Sequence, residues 1–230
     1  MVALTWNLFH GRAVPGAGRS LLDAFAAALA SWAWDIALLQ EVPPWWPGPL
    51  AEAAGAVERH ALTSRNSLLP LRRWAAERWP DVVKSQGGGA NAILVRGEDI
   101  VEDRAITLRR FPERRVAHGV RLASGVWVVN LHASAYSPPR AQADLDRAID
   151  AWGGARPLVL GGDLNLRDPR GLERVASRDV DHVLVRGLVR AGAPEVLHRG
   201  PLSDHPPLVV SLTSCGRTCA ATGRPRSGSR

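Results

Sequence analysis

The chain has 230 residues, of which 46% are hydrophobic and 22% are charged, and its formal net charge is +7. This length and composition exclude a largely disordered chain and are typical of a single α/β domain. Four arginines and no acidic residue lie within residues 213–230, so removing their charge from +7 leaves +3 for the rest of the chain. The basic charge is therefore weak support for a nucleic-acid-binding surface.

The segment 213–230 is rich in Ser, Gly, Arg and Pro, which predicts a disordered basic tail after one domain over residues 1–212. The tail holds the only two cysteines, Cys215 and Cys219, which are too few ligands for a zinc site. No secretory hydrophobic segment precedes the first predicted strand, and the Ala-rich run 21–34 is too short to span a bilayer. We therefore expect a cytoplasmic, monomeric protein without stable membrane insertion.

Strand-like and helix-like segments alternate in the first part of the chain. VALTWN (2–7) alternates as a strand does, and SLLDAFAAALASWAW (20–34) places its large apolar residues on one helical face. Ser20 and Asp23 are suited to an N-terminal capping box of that helix. DIALLQE (35–41) is a short apolar run and predicts a buried strand. A Pro/Trp loop, VPPWWPGPL, follows, and the sequence then shows no clear pattern up to residue 85.

The second part begins with GGGANAILVRG, a glycine loop that leads into a strand. RVAHGVRL and VWVVNLH are separated by ASG, which predicts a hairpin. PPRAQADLDRAIDAWGG begins with proline, has one apolar face and ends with glycine, as a helix does. PLVLGGDLN, DHVLVRGLV and PPLVVSL are predicted strands. Interleaved helices together with hairpins favour a mixed-sheet α/β sandwich over a purely parallel, doubly wound sheet.

Polar residues repeatedly stand where an apolar strand ends or begins. Each one has an ordinary structural interpretation: a turn cap, a solvated glutamate or a hydrogen-bonded core histidine. Their recurrence on successive strands favours a shared site instead, because unpaired polar groups beside a core are costly. The residues are Asn7, Glu41, Asn130, His132, Asp163, Asn165, Asp181, Ser203, Asp204 and His205.

Phosphoester hydrolysis is the chemistry that these residue types share. Mg²⁺ prefers carboxylate and amide oxygens, which Glu41, Asp204 and Asn7 would supply. An attacking water needs a base, either Asp163 or a histidine. Asn165 would orient the phosphate. Histidines would donate to the charged oxygens of the transition state, and a neighbouring acid would fix the tautomer of such a histidine.

TWN, LLQE, GANAILV, NLH, GGDLN, VDHVLV and LSDH occur in this order within residues 2–212. Each is short, but the ordered set resembles the endonuclease/exonuclease/phosphatase superfamily, which includes the DNase I-like nucleases. The resemblance implies a four-layer α/β sandwich, with two mixed β-sheets packed face to face, helices outside and the active site at one edge of the sheets. It also implies a metal-dependent phosphoesterase that uses Mg²⁺, with Mn²⁺ as the alternative ion.

The resemblance assigns a role to each matching residue. Glu41 is the principal Mg²⁺ ligand, Asn7 supports it, and Asp204 lies beside the metal. Asp163 activates the water, and Asn165 orients the phosphate.

Three further roles follow from the same resemblance. His205 is the catalytic histidine of the SDH motif, and Asp181 is the acid that pairs with it. His132 matches the first histidine of the DNase-like and sphingomyelinase-like branches. Abasic-site endonucleases usually have tyrosine at that position, so this branch is disfavoured. Family members commonly have HL where this chain has HAS, and the short body leaves few inserts from which to infer a substrate.

These observations predict a Mg²⁺-dependent phosphodiesterase or nuclease that cleaves by in-line attack of an activated water, with nucleic acid as one substrate class. A phospholipid or inositol-phosphate hydrolase is the alternative, and an inactive phosphate-binding scaffold is disfavoured because the site residues are retained. Arg115 is interpreted as solvated rather than bound to phosphate. Packing is favoured over base stacking or lipid contact for four tryptophans: Trp45, Trp46, Trp74 and Trp79.

Overall fold

Residues 1–214 are described by the computed structural model, which contains thirteen strands and five α-helices in this range. The strands are β1 Val2–Asn7, β2 Ile36–Val42, β3 Val57–Leu62, β4 Ala90–Val95, β5 Ile100–Arg109, β6 Arg115–Leu122, β7 Trp127–Leu131, β8 Leu158–Asp163, β9 Glu173–Arg178, β10 Asp181–Arg186, β11 Leu188–Arg190, β12 Glu195–Val196 and β13 Leu208–Ser214. The helices are α1 Leu22–Ser31, α2 Pro47–Ala54, α3 Leu69–Arg78, α4 Pro80–Val83 and α5 Pro138–Ala151. Two short 3₁₀ turns lie at Phe9–Gly11 and Lys84–Gly87.

The strands form two mixed sheets. One has the order β11-β13-β1-β2-β4-β3, with β12 also paired to β13, and the other has the order β5-β6-β7-β8-β10-β9. The pairs β1/β2 and β7/β8 are parallel, whereas the other pairs are antiparallel. Each sheet therefore has a parallel centre flanked by antiparallel strands.

Three apolar cores separate four layers. The first lies between the first sheet and helices α1 and α2, where Trp6 packs on Phe25 at a ring-centroid distance of 4.9 Å. The second lies between the two sheets and includes Leu38 and Val159. The third lies between the second sheet and α5, around Leu145. Because strand side chains alternate in direction, each central strand contributes to two cores. The predicted four-layer sandwich is confirmed.

The topology brings particular strand ends to one edge of the sandwich. The carboxyl ends of β1 and β2 lie together because these strands are parallel, and the same holds for β7 and β8. Strand β10 is antiparallel to β8, so its first residue pairs with the last residue of β8. Strand β13 is antiparallel to β1, so the loop before β13 reaches the same edge. Every predicted site residue follows or precedes one of these strand ends.

Several local expectations differ from the structure. Helix α1 begins at Leu22 without a side-chain cap, so the predicted capping box does not form. The Pro/Trp loop already contains the start of α2, because Pro47 is suited to a first helical turn. The segment DHVLVRGLV forms two strands, since Gly187 has a positive φ of 75°. Strand β13 continues through Ser214, beyond the predicted domain end, and most of the predicted tail, with both cysteines, lies outside the described residues.

Gly162 in the GGDLN segment has a φ of +140°, and a Cβ added there would collide with the backbone oxygen of Leu131. We expect Gly162→Ala to lower the free energy of unfolding by about 2–4 kcal/mol, from backbone strain and overpacking together. Urea denaturation would measure this change. Gly48→Ala is the control, because Gly48 has open space around its Cβ position and should tolerate alanine. Equal stability of Gly162→Ala and the parent would contradict the close approach of β7 and β8.

Candidate active site

Asp163 ends β8 at the edge where the strand ends meet, and it is almost fully buried. Its Oδ2 accepts a hydrogen bond from Asn7 Nδ2 at 3.0 Å, and its Oδ1 accepts one from the backbone N–H of Asn165 at 3.1 Å. Asn165 has a left-handed φ of 51° and donates through Nδ2 to the Ala133 oxygen at 3.1 Å. Burial raises the pKa of Asp163, and this outweighs the opposing effects of His205 and the two hydrogen bonds. The amide of Asn165 and the carboxylate of Asp163 are thus held in fixed positions.

His205 lies close to Asp163 and forms a hydrogen bond with Asp181. The Nδ1 of His205 is 2.8 Å from Asp181 Oδ2, and its Nε2 is 3.9 Å from Asp163 Oδ2. Ser203 fixes the loop that carries His205. Its hydroxyl donates to the backbone oxygen of Asn7 at 2.6 Å and accepts from the backbone N–H of His205 at 3.0 Å. The predicted pairing of Asp181 with the histidine of the SDH motif is present.

The His205–Asp181 pair carries separated charges near neutral pH. Burial lowers the pKa of His205, but the hydrogen bond to Asp181 and the nearby carboxylates outweigh it and raise the pKa to about 9. Burial raises the pKa of Asp181 to about 6, against the effect of His205. An imidazolium therefore faces a carboxylate at pH 7, and its Nε2 is available to donate a proton or hydrogen bond.

Glu41 stands in a β-bulge of β2, where the register against β4 shifts and the backbone has a φ of 51°. Bulges often direct a side chain into an active site. The Glu41 Oε2 is 3.0 Å from His10 Nε2, and its Oε1 is 3.9 Å from His132 Nε2. Burial raises the pKa of Glu41, but His10 and His132 outweigh it and hold the pKa well below the usual range. Glu41 is therefore ionised at neutral pH.

His10 was not among the predicted site residues. It lies in the turn Phe9–Gly11, in which all three residues have positive φ values of 51°, 54° and 74°. Such conformations are costly for residues other than glycine and persist only where neighbouring contacts impose them. The Arg12 guanidinium stacks on the Phe9 ring at 3.7 Å, and Gly11 packs against Trp46. The turn thus places the His10 imidazole within hydrogen-bonding distance of Glu41.

His132 and Asn7 complete the floor of the site. His132 Nε2 is 3.5 Å from Asp163 Oδ2, and burial together with the Arg115 charge lowers the pKa of His132 to about 3. The imidazole is thus neutral at pH 7. Asn7 directs its amide nitrogen at Asp163, while its Oδ1 accepts from the Phe9 N–H at 2.9 Å. This bond uses one lone pair of the Asn7 Oδ1, and the second lone pair remains for a cation in the cleft that Asn7 lines.

Two sets of side chains could hold a divalent metal. Within the described residues, Asp163, Asp181 and His205 place one potential ligand atom each within 4.8 Å of one another. However, the Asp181–His205 hydrogen bond already occupies an atom of each residue. Glu41 is ionised and lines the cleft, and Asp204, whose side chain is 44% exposed and lies 4.0 Å from His205 Nε2, lines the same cleft. One or two carboxylates with open positions fit a hard cation such as Mg²⁺, so Glu41 with Asp204 is the better match.

One cleft of ≈ 550 Å³ is lined by Asn7, His10, Glu41, His132, Asp163, Asn165, Asp204 and His205, whereas Asp181 and Ser203 lie behind its wall. Asn130 is not among them: it is fully buried between the sheets, where its Nδ2 donates to the Leu39 and Ala92 oxygens at 2.8 Å. Arg115 does line the cleft, and only 10% of its side chain is exposed. The prediction of a solvated Arg115 is therefore wrong.

The tryptophans divide into two groups. Trp46 is buried in the first core, and Trp45 packs against that core. Trp74 and Trp79 are 58% and 45% exposed and contact each other edge to face at 5.4 Å. Packing was thus the correct interpretation for the first pair and wrong for the second. None of the helices within residues 1–214 combines the length and apolar character of a membrane span.

Comparison with models of protein families identifies the family of the chain. The model of the Endonuclease/Exonuclease/phosphatase family matches residues 4–205, which is most of the chain. The chain belongs to this family. Its members are phosphoesterases and nucleases, which supports an enzymatic function. Comparison with curated protein sequences gave no significant match.

Solved structures confirm the fold of this family member. An endonuclease/exonuclease/phosphatase from Beutenbergia cavernae has a TM-score of 0.72 and 20% identity, covering 93% of this chain and 71% of the other. A truncated TDP2 from Caenorhabditis elegans has a TM-score of 0.65 and 17% identity, covering 93% and 97%. A mannosyl-6-phosphatase from Bacteroides thetaiotaomicron has a TM-score of 0.64 and 15% identity, covering 93% and 99%. At these identities the similarity concerns the fold alone.

Proposed function

We propose that the protein is a Mg²⁺-dependent phosphodiesterase that cleaves a phosphodiester by in-line attack of water. The observation that carries the proposal is the convergence of an ionised Glu41, a hydrogen-bonded Asp163 and an Asp181–His205 pair on one cleft. Carboxylates for a cation, a base for water and a cationic donor for phosphate oxygens are the groups that this reaction needs.

The position of each residue in the cleft indicates its role in the reaction. Asp163 accepts the proton of the attacking water, because its carboxylate is fixed by Asn7 and by the backbone N–H of Asn165. The imidazolium of His205 donates to a phosphoryl oxygen or to the leaving oxygen, and Asp181 keeps it charged and oriented. His132, neutral and buried, offers a further hydrogen bond to the phosphate.

Glu41 and Asp204 are the residues that would hold Mg²⁺ or Mn²⁺. A bound cation of this kind neutralises charge on the phosphate oxygens and lowers the pKa of a coordinated water. His10 Nε2 lies 3.0 Å from Glu41, and this contact lowers the pKa of the Glu41 carboxylate and keeps it ionised. The protein thus maintains a charged carboxylate in a mostly buried position.

We expect hydrolysis of one phosphoester class from a panel of four phosphodiesters (supercoiled plasmid, single-stranded DNA, RNA and sphingomyelin) and the phosphomonoesters of inositol. The activity should be lost in chelator and restored by excess Mg²⁺ or Mn²⁺, because Glu41 is suited to a hard cation. Product analysis and a folded-state check by circular dichroism would accompany the assay. Full activity in chelator would contradict metal dependence. If the folded protein hydrolyses no substrate of the panel, the inactive phosphate-binding scaffold would be favoured instead.

A phospholipid hydrolase is the second candidate, and one surface favours it. Helices α3 and α4 bury none of their residues. Their large apolar side chains are exposed beside basic ones, a composition typical of segments that contact anionic lipid surfaces. The exposed apolar residues of this segment are Leu68, Leu71, Trp74, Trp79 and Val82, and its basic residues are Arg72, Arg73, Arg78 and Lys84.

The lipid alternative predicts cosedimentation with vesicles that contain phosphatidylserine. Leu71→Glu should abolish the binding, because it places a charge on the apolar face. Val101→Glu is the matched control, since Val101 is similarly exposed (53%, against 59% for Leu71) but lies on β5. Equal vesicle binding by both variants and the parent, or none by the parent, would exclude this surface as a lipid contact.

A further inference from the structure

A second charged group lies in the same cleft as Glu41 and Asp163. Arg65 and Arg115, which we call the arginine pair, share the carboxylate of Glu113: Arg65 Nη2 is 2.7 Å from Oε1, and Arg115 Nη2 is 2.7 Å from Oε2. Each guanidinium therefore contacts one oxygen only. The three side chains together carry one net positive charge, and none of them has a role in the hydrolysis proposed above.

The topology places the arginine pair beside the catalytic residues. Strand β6 is antiparallel to β7, so Arg115 at its start lies at the edge where β7 ends in His132. The Arg115 charge contributes to the lowered pKa of His132, in agreement with this proximity. Strand β3 is antiparallel to β4, which is antiparallel to β2, so the loop of Arg65 reaches the edge where Glu41 stands.

The loops that carry the arginine pair are tied together. The Ser64 hydroxyl accepts a hydrogen bond from the Arg114 N–H at 2.7 Å and donates to the Arg114 oxygen at 3.3 Å. Asn66 Nδ2 donates to the oxygens of Thr63 and Gly89 at 3.2 and 3.1 Å. The Ser64–Arg114 bonds join the two sheets, and the Asn66 bonds hold the Arg65 loop against the start of β4, so the backbones that carry the two guanidinium groups are held together. The arrangement is preorganised, as a binding site requires.

Donors of the arginine pair remain free for a ligand. Only 10% of the Arg115 side chain is exposed, yet among the described residues its guanidinium forms a single hydrogen bond, the one to Glu113. Arg65 likewise uses one nitrogen, and 34% of its side chain is exposed. A guanidinium has five N–H donors, and the unused ones of the arginine pair are accessible rather than buried without a partner. The unused N–H groups border the cleft, where a bound anion would meet them.

We propose that the arginine pair binds a second phosphate of the substrate, distinct from the phosphodiester that is cleaved, and that Glu113 holds both guanidiniums until this phosphate displaces it. The proposal rests on the proposed function, because both phosphates belong to one molecule in one cleft. Arginine forks match phosphate oxygens in a bidentate manner, and a phosphate supplies more acceptors and charge than one carboxylate. The substrate class is therefore a phosphodiester that carries a further phosphate nearby.

Nucleic acids and phosphoinositide lipids both contain a phosphodiester with a further phosphate nearby, and a nucleoside bisphosphate and an inositol bisphosphate are soluble probes for these two sources. Calorimetric titration would use a nucleoside bisphosphate with its matching monophosphate, and an inositol bisphosphate with its matching monophosphate. We expect the parent protein to bind the bisphosphate of one pair about 10-fold or more tightly than its monophosphate. The pair that shows this preference identifies the source of the phosphate. Equal affinities within both pairs would overturn the proposal.

Substitutions locate the preference at the arginine pair. Arg115→Met should reduce the affinity ratio to about one, and Arg65→Gln, on a more exposed side chain, should reduce it even if Arg115→Met fails to fold. Glu113→Gln should strengthen bisphosphate binding, because a competing carboxylate charge is removed. Arg121→Met is the matched control, since Arg121 lies on the same strand and pairs with Glu102 at 3.0 Å outside the cleft. A ratio retained in both arginine variants would overturn the proposal.

Binding and turnover separate this proposal from the proposed function. The protein could prefer bisphosphates through the arginine pair and yet hydrolyse no phosphodiester. That result would support the second phosphate site and contradict the proposed enzymatic function. Hydrolysis of diesters without any such preference would sustain the enzyme and reject the phosphate site. If both proposals hold, kcat/KM should be about 10-fold or more higher for a diester that carries the additional phosphate than for the matching diester without it.

Discussion

His205→Ala should reduce phosphodiester hydrolysis by about 10²–10⁴-fold, the contribution that a positioned proton donor makes to such reactions. The Nε2 of His205 is the cationic donor next to Asp163, and its charge is maintained by the hydrogen bond to Asp181 at 2.8 Å. Steady-state kinetics on the hydrolysed substrate would measure the loss as kcat/KM. His198→Ala is the control, because His198 is exposed on the preceding loop and should be replaceable without effect.

Asp181→Asn tests why His205 is charged. The variant keeps a hydrogen-bond acceptor but removes the carboxylate that helps to raise the pKa of His205 to about 9. Activity that needs the imidazolium should fall above pH 9 in the parent protein, and this decline should move to lower pH in the variant. An alkaline limb at the same pH in both proteins would show that Asp181 does not set this charge. Undiminished activity of His205→Ala would contradict the catalytic assignment itself.

The strand ends that carry the candidate site residues were predictable because burial leaves a clear pattern. Strands β1, β2, β7 and β8 are buried on both faces, so they appear as apolar runs, and a polar residue at the end of such a run is conspicuous. Their parallel pairing then places the polar ends at one edge. The glycines of GGDLN are likewise explained by packing, since Gly161 and Gly162 have no room for a side chain.

Exposed elements were not predictable for the converse reason. Helix α3 buries no residue, and β5 and β9 are mostly exposed at sheet edges, so none of them shows an apolar period. The segment before residue 85, in which the sequence shows no clear pattern, largely consists of the exposed helices α3 and α4. Trp74 and Trp79 were assigned to packing on residue type alone. Type does not show whether a helix has a partner to pack against.

Cleft residues outside the apolar strand ends, such as His10 in a turn and Arg115 at the start of β6, formed a second unpredictable group. His10 reaches Glu41 only because three successive residues adopt left-handed conformations, and apart from Gly11 nothing in the segment FHG indicates this. Arg115 follows a charged turn, so its sequence neighbourhood is that of a solvated arginine, whereas packing of β6 between β5 and β7 buries it. Both depend on contacts between distant segments. Periodicity in a single sequence carries no information on such contacts.

Glu41→Gln should reduce metal-dependent hydrolysis on the order of 10³-fold, because it removes the ionised carboxylate best placed for a cation. Glutamine keeps the size of the side chain, so the bulge of β2 and the contacts of His10 and His132 have room to persist. Titration with Mn²⁺, followed by electron paramagnetic resonance, should show weakened binding at the same time. This second readout separates loss of the metal from a general loss of catalysis.

Glu58→Gln provides the matched control for Glu41→Gln. Glu58 also pairs with a histidine, His60, at 2.9 Å, but it lies on β3 outside the cleft. Its substitution should leave both Mn²⁺ affinity and turnover unchanged. Parental Mn²⁺ affinity in Glu41→Gln would move the metal to the group Asp163, Asp181 and His205, whose ligand atoms are within 4.8 Å of one another. In that event Asp181→Asn, rather than Glu41→Gln, would abolish Mn²⁺ binding.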